Sequence, residues 1–146
     1  MSNETIRIIL VDDHKLIRES WKLLFENNPR FDLIAICEDG ASAIEQAQKL
    51  SPDIMLIDIN MSPLNGFEVT ERILKINPSI KIIGLSINNQ HFNADKIIEL
   101  GARGYITKTS PLEEIYHGIL EVYKGEYYIS KEVKRINPPE QNDDRA

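Results

Sequence analysis

Asp53-Ile54-Met55-Leu56-Ile57-Asp58-Ile59-Asn60-Met61-Ser62-Pro63-Leu64-Asn65-Gly66 is the stretch on which the fold turns. Residues 54–57 are apolar without polar alternation, as in a strand buried on both faces of a parallel sheet. The run ends on the carboxylate of Asp58. Pro63, Asn65 and Gly66 then punctuate a loop before helical spacing resumes, so Asp58 is predicted where the strand leaves the sheet. In an open α/β sheet, ligands bind outside those carboxyl ends. Taken alone, an Asp after a strand is more often a turn or capping residue. The rest of the chain changes that weighing.

Towards the N-terminus, Ile6-Arg7-Ile8-Ile9-Leu10-Val11 reads as another buried strand and stops at Asp12-Asp13. Leu16, Ile17, Trp21, Leu24 and Phe25 then fall on one helical stripe. Residues 33–37 form a second strand, Ala43, Ile44, Ala47 and Leu50 mark a second helix, and Pro52 closes it. Beyond the opening stretch, Phe67, Thr70, Ile73 and Leu74 give a third helix, and residues 80–86 a fourth strand ending on Ser86. A fourth helix is expected near residues 89–100, with Phe92, Ile97, Ile98 and Leu100 as its apolar face. Residues 104–108 form a short fifth strand ending on Lys108. The last helix should open with Ser110 as N-cap, Pro111 at the first helical position and Glu113 completing a capping box. Leu112, Ile115, Ile119 and Val122 are its expected buried stripe.

Five strands alternating with five helices predict right-handed crossovers and a doubly wound α/β fold. The expected sheet is five-stranded and parallel, in the flavodoxin-like order 2-1-3-4-5 with helices on both faces. Residues 1–129 are expected to form the domain, and residues 130–146 have the composition of a polar tail or linker.

The 146 residues, 42% hydrophobic and 27% charged, fit one soluble domain. A net charge of −6 argues against general affinity for phosphate backbones. Cys37 is the only cysteine, so no internal disulfide can form, in keeping with a reducing, cytoplasmic setting. No apolar run approaches the ~20 residues of a membrane span, and no leader precedes the first strand.

The predicted topology gathers Asp12, Asp13, Asp58, Ser86 and Lys108 at one sheet edge. Each is unremarkable alone, but together they describe a site. Three clustered carboxylates repel unless a cation sits among them, and an oxygen-only set favours a hard ion, Mg²⁺ (or Mn²⁺). Such an ion keeps positions for phosphate oxygens, which Lys108 can neutralise and Ser86 can hydrogen-bond. A carboxylate that attacks phosphorus accepts a phosphoryl group covalently.

These residues resemble the receiver domain of two-component response regulators, over about residues 6–125. Gly101-Ala102-Arg103-Gly104-Tyr105-Ile106-Thr107-Lys108 is closest to the NarL/FixJ branch. The resemblance implies Asp58 as phosphoacceptor from a sensor histidine kinase, with Mg²⁺ held by Asp12, Asp13, Asp58 and the Asn60 backbone carbonyl. It further implies Ser86 as the switch hydroxyl, Lys108 as the ion-pair partner and Tyr105 as the aromatic switch. Such a domain is not an enzyme in the usual sense, although it assists its own Mg²⁺-dependent phosphorylation and dephosphorylation. Members of the branch usually control transcription through a C-terminal helix-turn-helix domain, and homodimerisation on phosphorylation is a further expectation. This chain alone should bind no nucleic acid. Departures from the family pattern are Ser62 where a proline is common, the bulky Ile87 after the switch hydroxyl, and Thr109 after the lysine. His14, beside the acidic pair, reads as a surface residue at a helix start rather than a ligand.

Overall fold

The computed structural model describes residues 4–133. Strands β1 (Ile6–Val11), β2 (Phe31–Cys37), β3 (Ile54–Asp58), β4 (Lys81–Ser86) and β5 (Gly104–Thr107) alternate with helices α1 (Lys15–Glu26), α2 (Gly40–Leu50), α3 (Gly66–Ile76), α4 (His91–Glu99) and α5 (Leu112–Tyr123). All strand pairings are parallel. The sheet has six strands, in the order β2-β1-β3-β4-β5-β6, not the five expected. The added β6 (Tyr128–Ile129) pairs with β5. Two residues are too few to carry a period in sequence, and their strand character comes from hydrogen bonds to β5: Tyr128 N–H to the Arg103 carbonyl at 3.1 Å and Ser130 N–H to the Tyr105 carbonyl at 2.9 Å.

Alternation along the strands sorts the core into two layers. Ile6, Ile8, Leu10, Ile54, Leu56, Ile83 and Leu85 pack with Trp21 and Phe25 of α1 and with Ile115, Ile119 and Val122 of α5. Ile9, Val11, Met55, Ile57 and Ile82 face Ala43 and Ala47 of α2, Val69 and Ile73 of α3, and Ala94 and Ile97 of α4. Because both faces are covered, the central strands carry no polar alternation. Cys37 is buried and unpaired.

Three expected stripe residues, Leu16, Phe92 and Leu112, are exposed instead. Each lies in the first turn of a helix that begins at the carboxyl edge of the sheet, where no strand runs beneath it. Ser110 is not the N-cap of α5 either. Pro111 holds that position without a side-chain cap, and the Ser110 hydroxyl is buried 2.8 Å from Thr107 Oγ1 and 3.1 Å from Ser130 Oγ. Ser130, where the tail was expected to begin, is itself buried, and Val133 packs against the α2–α4 layer. Residues 134–146 of the expected tail lie outside the described residues.

Candidate functional site

The carboxyl edge is shaped by backbone as much as by side chains. Ile59 N–H bonds the Leu85 carbonyl at 3.0 Å and Lys108 N–H bonds the Ser86 carbonyl at 2.9 Å, which levels the ends of β3, β4 and β5. Asp12 N–H bonds the Cys37 carbonyl at 3.0 Å, extending β1 by one residue. Gly66 allows α3 to start hard against the strand that carries Asp58. A Cβ there would stand 2.5 Å from the Asp58 carbonyl oxygen and 2.5 Å from Ile59 Cα. Asn65 and Glu68 form a reciprocal capping box that holds this helix start in place.

On this edge Asp12, Asp58 and Lys108 come into contact. Lys108 Nζ lies 2.7 Å from Asp12 Oδ2 and 3.3 Å from Asp58 Oδ2, with all three side chains almost wholly removed from solvent. Asp58 Oδ1 accepts from Asn60 N–H at 3.0 Å. The Oδ2 atoms of Asp12 and Asp58 are buried, and the Lys108 ammonium is their close partner. Burial pushes the Asp58 carboxyl above its ordinary pKa and the Asp12 charge adds to this, against the lowering effects of the Asn60 amide and Lys108. Asp13 sits at the rim, partly open to solvent.

Ser86 and Tyr105 stand one layer further out. Ser86 Oγ donates to Asn60 Oδ1 at 3.1 Å and accepts from Asn88 N–H at 2.9 Å. Tyr105 is fully buried, and its hydroxyl donates to the Asn88 carbonyl. Asn88 thus joins the two expected switch residues, a role that no spacing in the sequence reveals. Ile87, beside Ser86, is exposed. The Ser62–Pro63 peptide is cis.

His14 is, as expected, a surface residue at a helix start, and it also reaches the acids. It is the N-cap of α1 with a side chain 58% exposed, yet its Nδ1 lies 2.9 Å from Asp12 Oδ1, 3.4 Å from Asp13 Oδ1 and 3.7 Å from Asp58 Oδ2. Its position directly after the acidic pair was the available signal. One donor atom each from Asp12, Asp13, His14 and Asp58 falls within 4.8 Å of all the others. Three carboxylates against one lysine leave an excess of negative charge, and two of their oxygens are buried. The three carboxylates of this set therefore fit a hard divalent cation.

An acid cluster at the switch point of a doubly wound sheet, with a lysine and a hydroxyl on nearby strand ends, marks the ligand-binding edge of a flavodoxin-like α/β domain. Residues 8–120 match the family model of the response regulator receiver domain, and the chain belongs to that family. Its relatives are regulators of the NarL/FixJ type. Transcriptional regulatory protein DegU of Brevibacillus brevis is 33% identical over 133 residues, covering 91% of this chain and 56% of that protein. Response regulator GacA of Pseudomonas aeruginosa is 29% identical over 128 residues, covering 88% and 60%. The chain thus spans less than two thirds of the length of these relatives. Among solved structures, a two-component response regulator of the LuxR family from Aurantimonas sp. SI85-9A1 superposes with a TM-score of 0.85 at 30% identity, covering 89% of this chain and 93% of that one. The signal receiver domain of a NarL response regulator from Mycobacterium tuberculosis gives 0.79 at 25% identity, covering 84% and 99%. No helix among the described residues is long and apolar enough to cross a membrane.

Proposed function

We propose that this domain accepts a phosphoryl group from a sensor histidine kinase onto Asp58. The observation that carries the reading is the buried Asp58 Oδ2, held beside Asp12 and the Lys108 ammonium at the ligand edge of the sheet. In the transfer, an Asp58 carboxylate oxygen forms the new bond to phosphorus while the donor's bond to phosphorus breaks and its electron pair leaves with the donor. Asp12, Asp13, Asp58 and the Asn60 carbonyl would hold Mg²⁺, which would supply counter-charge for the phosphate oxygens. Lys108 neutralises a further oxygen. Ser86 moves from Asn60 to the phosphoryl group, and the Tyr105 ring, already inward, is held there once Ser86 has moved. Residues from 130 onward lead to an output domain outside this chain, which acts on transcription through DNA, and phosphorylation favours a homodimer.

The test is intact-mass measurement after incubation with Mg²⁺ and acetyl phosphate. One phosphoryl group should appear, vanish with chelator and be absent from Asp58→Asn. Asp13→Ala should suppress labelling by weakening the metal site. Lys108→Ala should leave Mg²⁺ binding intact or tighter, because a competing positive charge is gone. Full labelling of Asp58→Asn would place the acceptor elsewhere.

A further inference from the structure

Thr107 and Thr109 flank Lys108, and both hydroxyls donate to one oxygen, Oε2 of Glu132, the Thr109 contact at 2.8 Å. Glu132 lies beyond the residues that match the family model. Behind it is a buried set of hydroxyls. Thr107 N–H donates to Ser130 Oγ at 3.0 Å, Ser130 Oγ lies 3.1 Å from Ser110 Oγ, and Ser110 Oγ lies 2.8 Å from Thr107 Oγ1. A hydroxyl has a single hydrogen to donate, and an ionised carboxylate can only accept. Since Thr107 gives its hydrogen to Glu132, Ser110 must donate to Thr107, and Ser130 must donate to Ser110. The bonds therefore run in one direction around the loop that follows β5 and end on the carboxylate. Chains of this kind strengthen one another.

We propose that Glu132 is a positioning residue for Lys108: as terminal acceptor of this directed hydroxyl chain, it fixes the loop that holds the Lys108 ammonium against Asp12 and Asp58. The inference rests on the reading of Asp58 as phosphoacceptor. Other contacts keep Glu132 in reach. Lys131 N–H and the Tyr128 hydroxyl both donate to Glu114 Oε2, each at 2.7 Å, and Val133 N–H closes a turn on the Ser130 carbonyl at 3.1 Å. The two threonine hydroxyls hold the Glu132 carboxyl below its ordinary pKa, so it is ionised at neutral pH. The segment that fixes Lys108 is thus the one through which the chain leaves the described residues. By reciprocity, whatever moves Lys108 pulls on that exit, and whatever pulls on the exit moves Lys108.

Two measurements on the full chain test this. Amide hydrogen exchange of Glu132→Ala, with no phosphodonor present, should quicken about tenfold at Thr107, Lys108 and Ser110 while residues 54–58 stay as in the wild type, because local and global opening separate in this way. A uniform rise along the chain, or no change at those three amides, would overturn the proposal. Labelling by acetyl phosphate should slow about fivefold in Glu132→Ala, as expected for lost charge-assisted hydrogen bonds, with the Kd for Mg²⁺ unchanged. Glu132→Gln keeps an acceptor oxygen and should label at close to the wild-type rate. Equal rates in wild type and Glu132→Ala would also overturn it. Failure of the wild type to label at all would instead strike the phosphoacceptor reading, and the exchange result would still show whether Glu132 holds the loop.

Discussion

Asp58 is a buried charge that shares the Lys108 ammonium with Asp12. Its carboxyl is raised above the ordinary value chiefly by burial. A carboxyl with a higher pKa in the folded than in the unfolded chain contributes stability that is complete below the unfolded value and is lost as pH rises through the folded value. At neutral pH the ionised Asp58 therefore works against folding in the absence of a divalent ion. Asp58→Asn should raise the metal-free Tm at pH 7 by a few degrees, and the difference should close as pH falls below about 4. Lys108 keeps its partner Asp12 in that variant. Calorimetry across this range checks the sign, and a lower Tm for Asp58→Asn at pH 7 would contradict it. Mg²⁺ should narrow the gap by binding the ionised wild-type cluster in preference.

Among the elements, α3 shows how a helix start sets a functional strand end. Gly66 has no room for a Cβ against the backbone of Asp58 and Ile59. Gly66→Ala is expected to cost about 2–4 kcal/mol and to depress phosphoryl labelling, since the relief must come from movement of the strand end. Asn65→Ala removes the cap alone and should cost about 1 kcal/mol, with labelling retained well below the melting temperature. Urea denaturation separates the two variants. Helix α5 makes the opposite point. The pattern Ser110-Pro111-Leu112-Glu113 carries the residue types of a capping box, but the Ser110 hydroxyl is taken by Thr107 and Ser130. Ser110→Ala should therefore loosen the loop that holds Lys108 rather than fray α5, a difference that amide exchange resolves.

At the scale of the whole molecule, the parallel sheet brings side chains from distant parts of the sequence to one edge because every strand points the same way. The same sheet is the centre of stability. Leu56→Ala, on the middle strand and fully buried, should cost about 2–5 kcal/mol, readable in denaturant without loss of labelling in the folded fraction. With its net charge of −6, this chain alone should give no sequence-selective DNA retardation, and a salt-sensitive, selective shift would refute that. Periodicity and punctuation carried the alternation of strands and helices and the placement of Asp12, Asp58, Ser86 and Lys108 at or just past the ends of β1, β3, β4 and β5. These are local properties: a doubly covered strand must be continuously apolar, and a strand must end where polar and turn residues begin. Tertiary structure alone decided what depends on partners far along the chain. The pairing of Tyr128–Ile129 as a sixth strand, the loss of Ser110 as a cap and the reach of Glu132 to Thr107 are all of this kind. Each is a choice between a local hydrogen bond and a distant one, and sequence spacing holds no record of which the folded chain makes available.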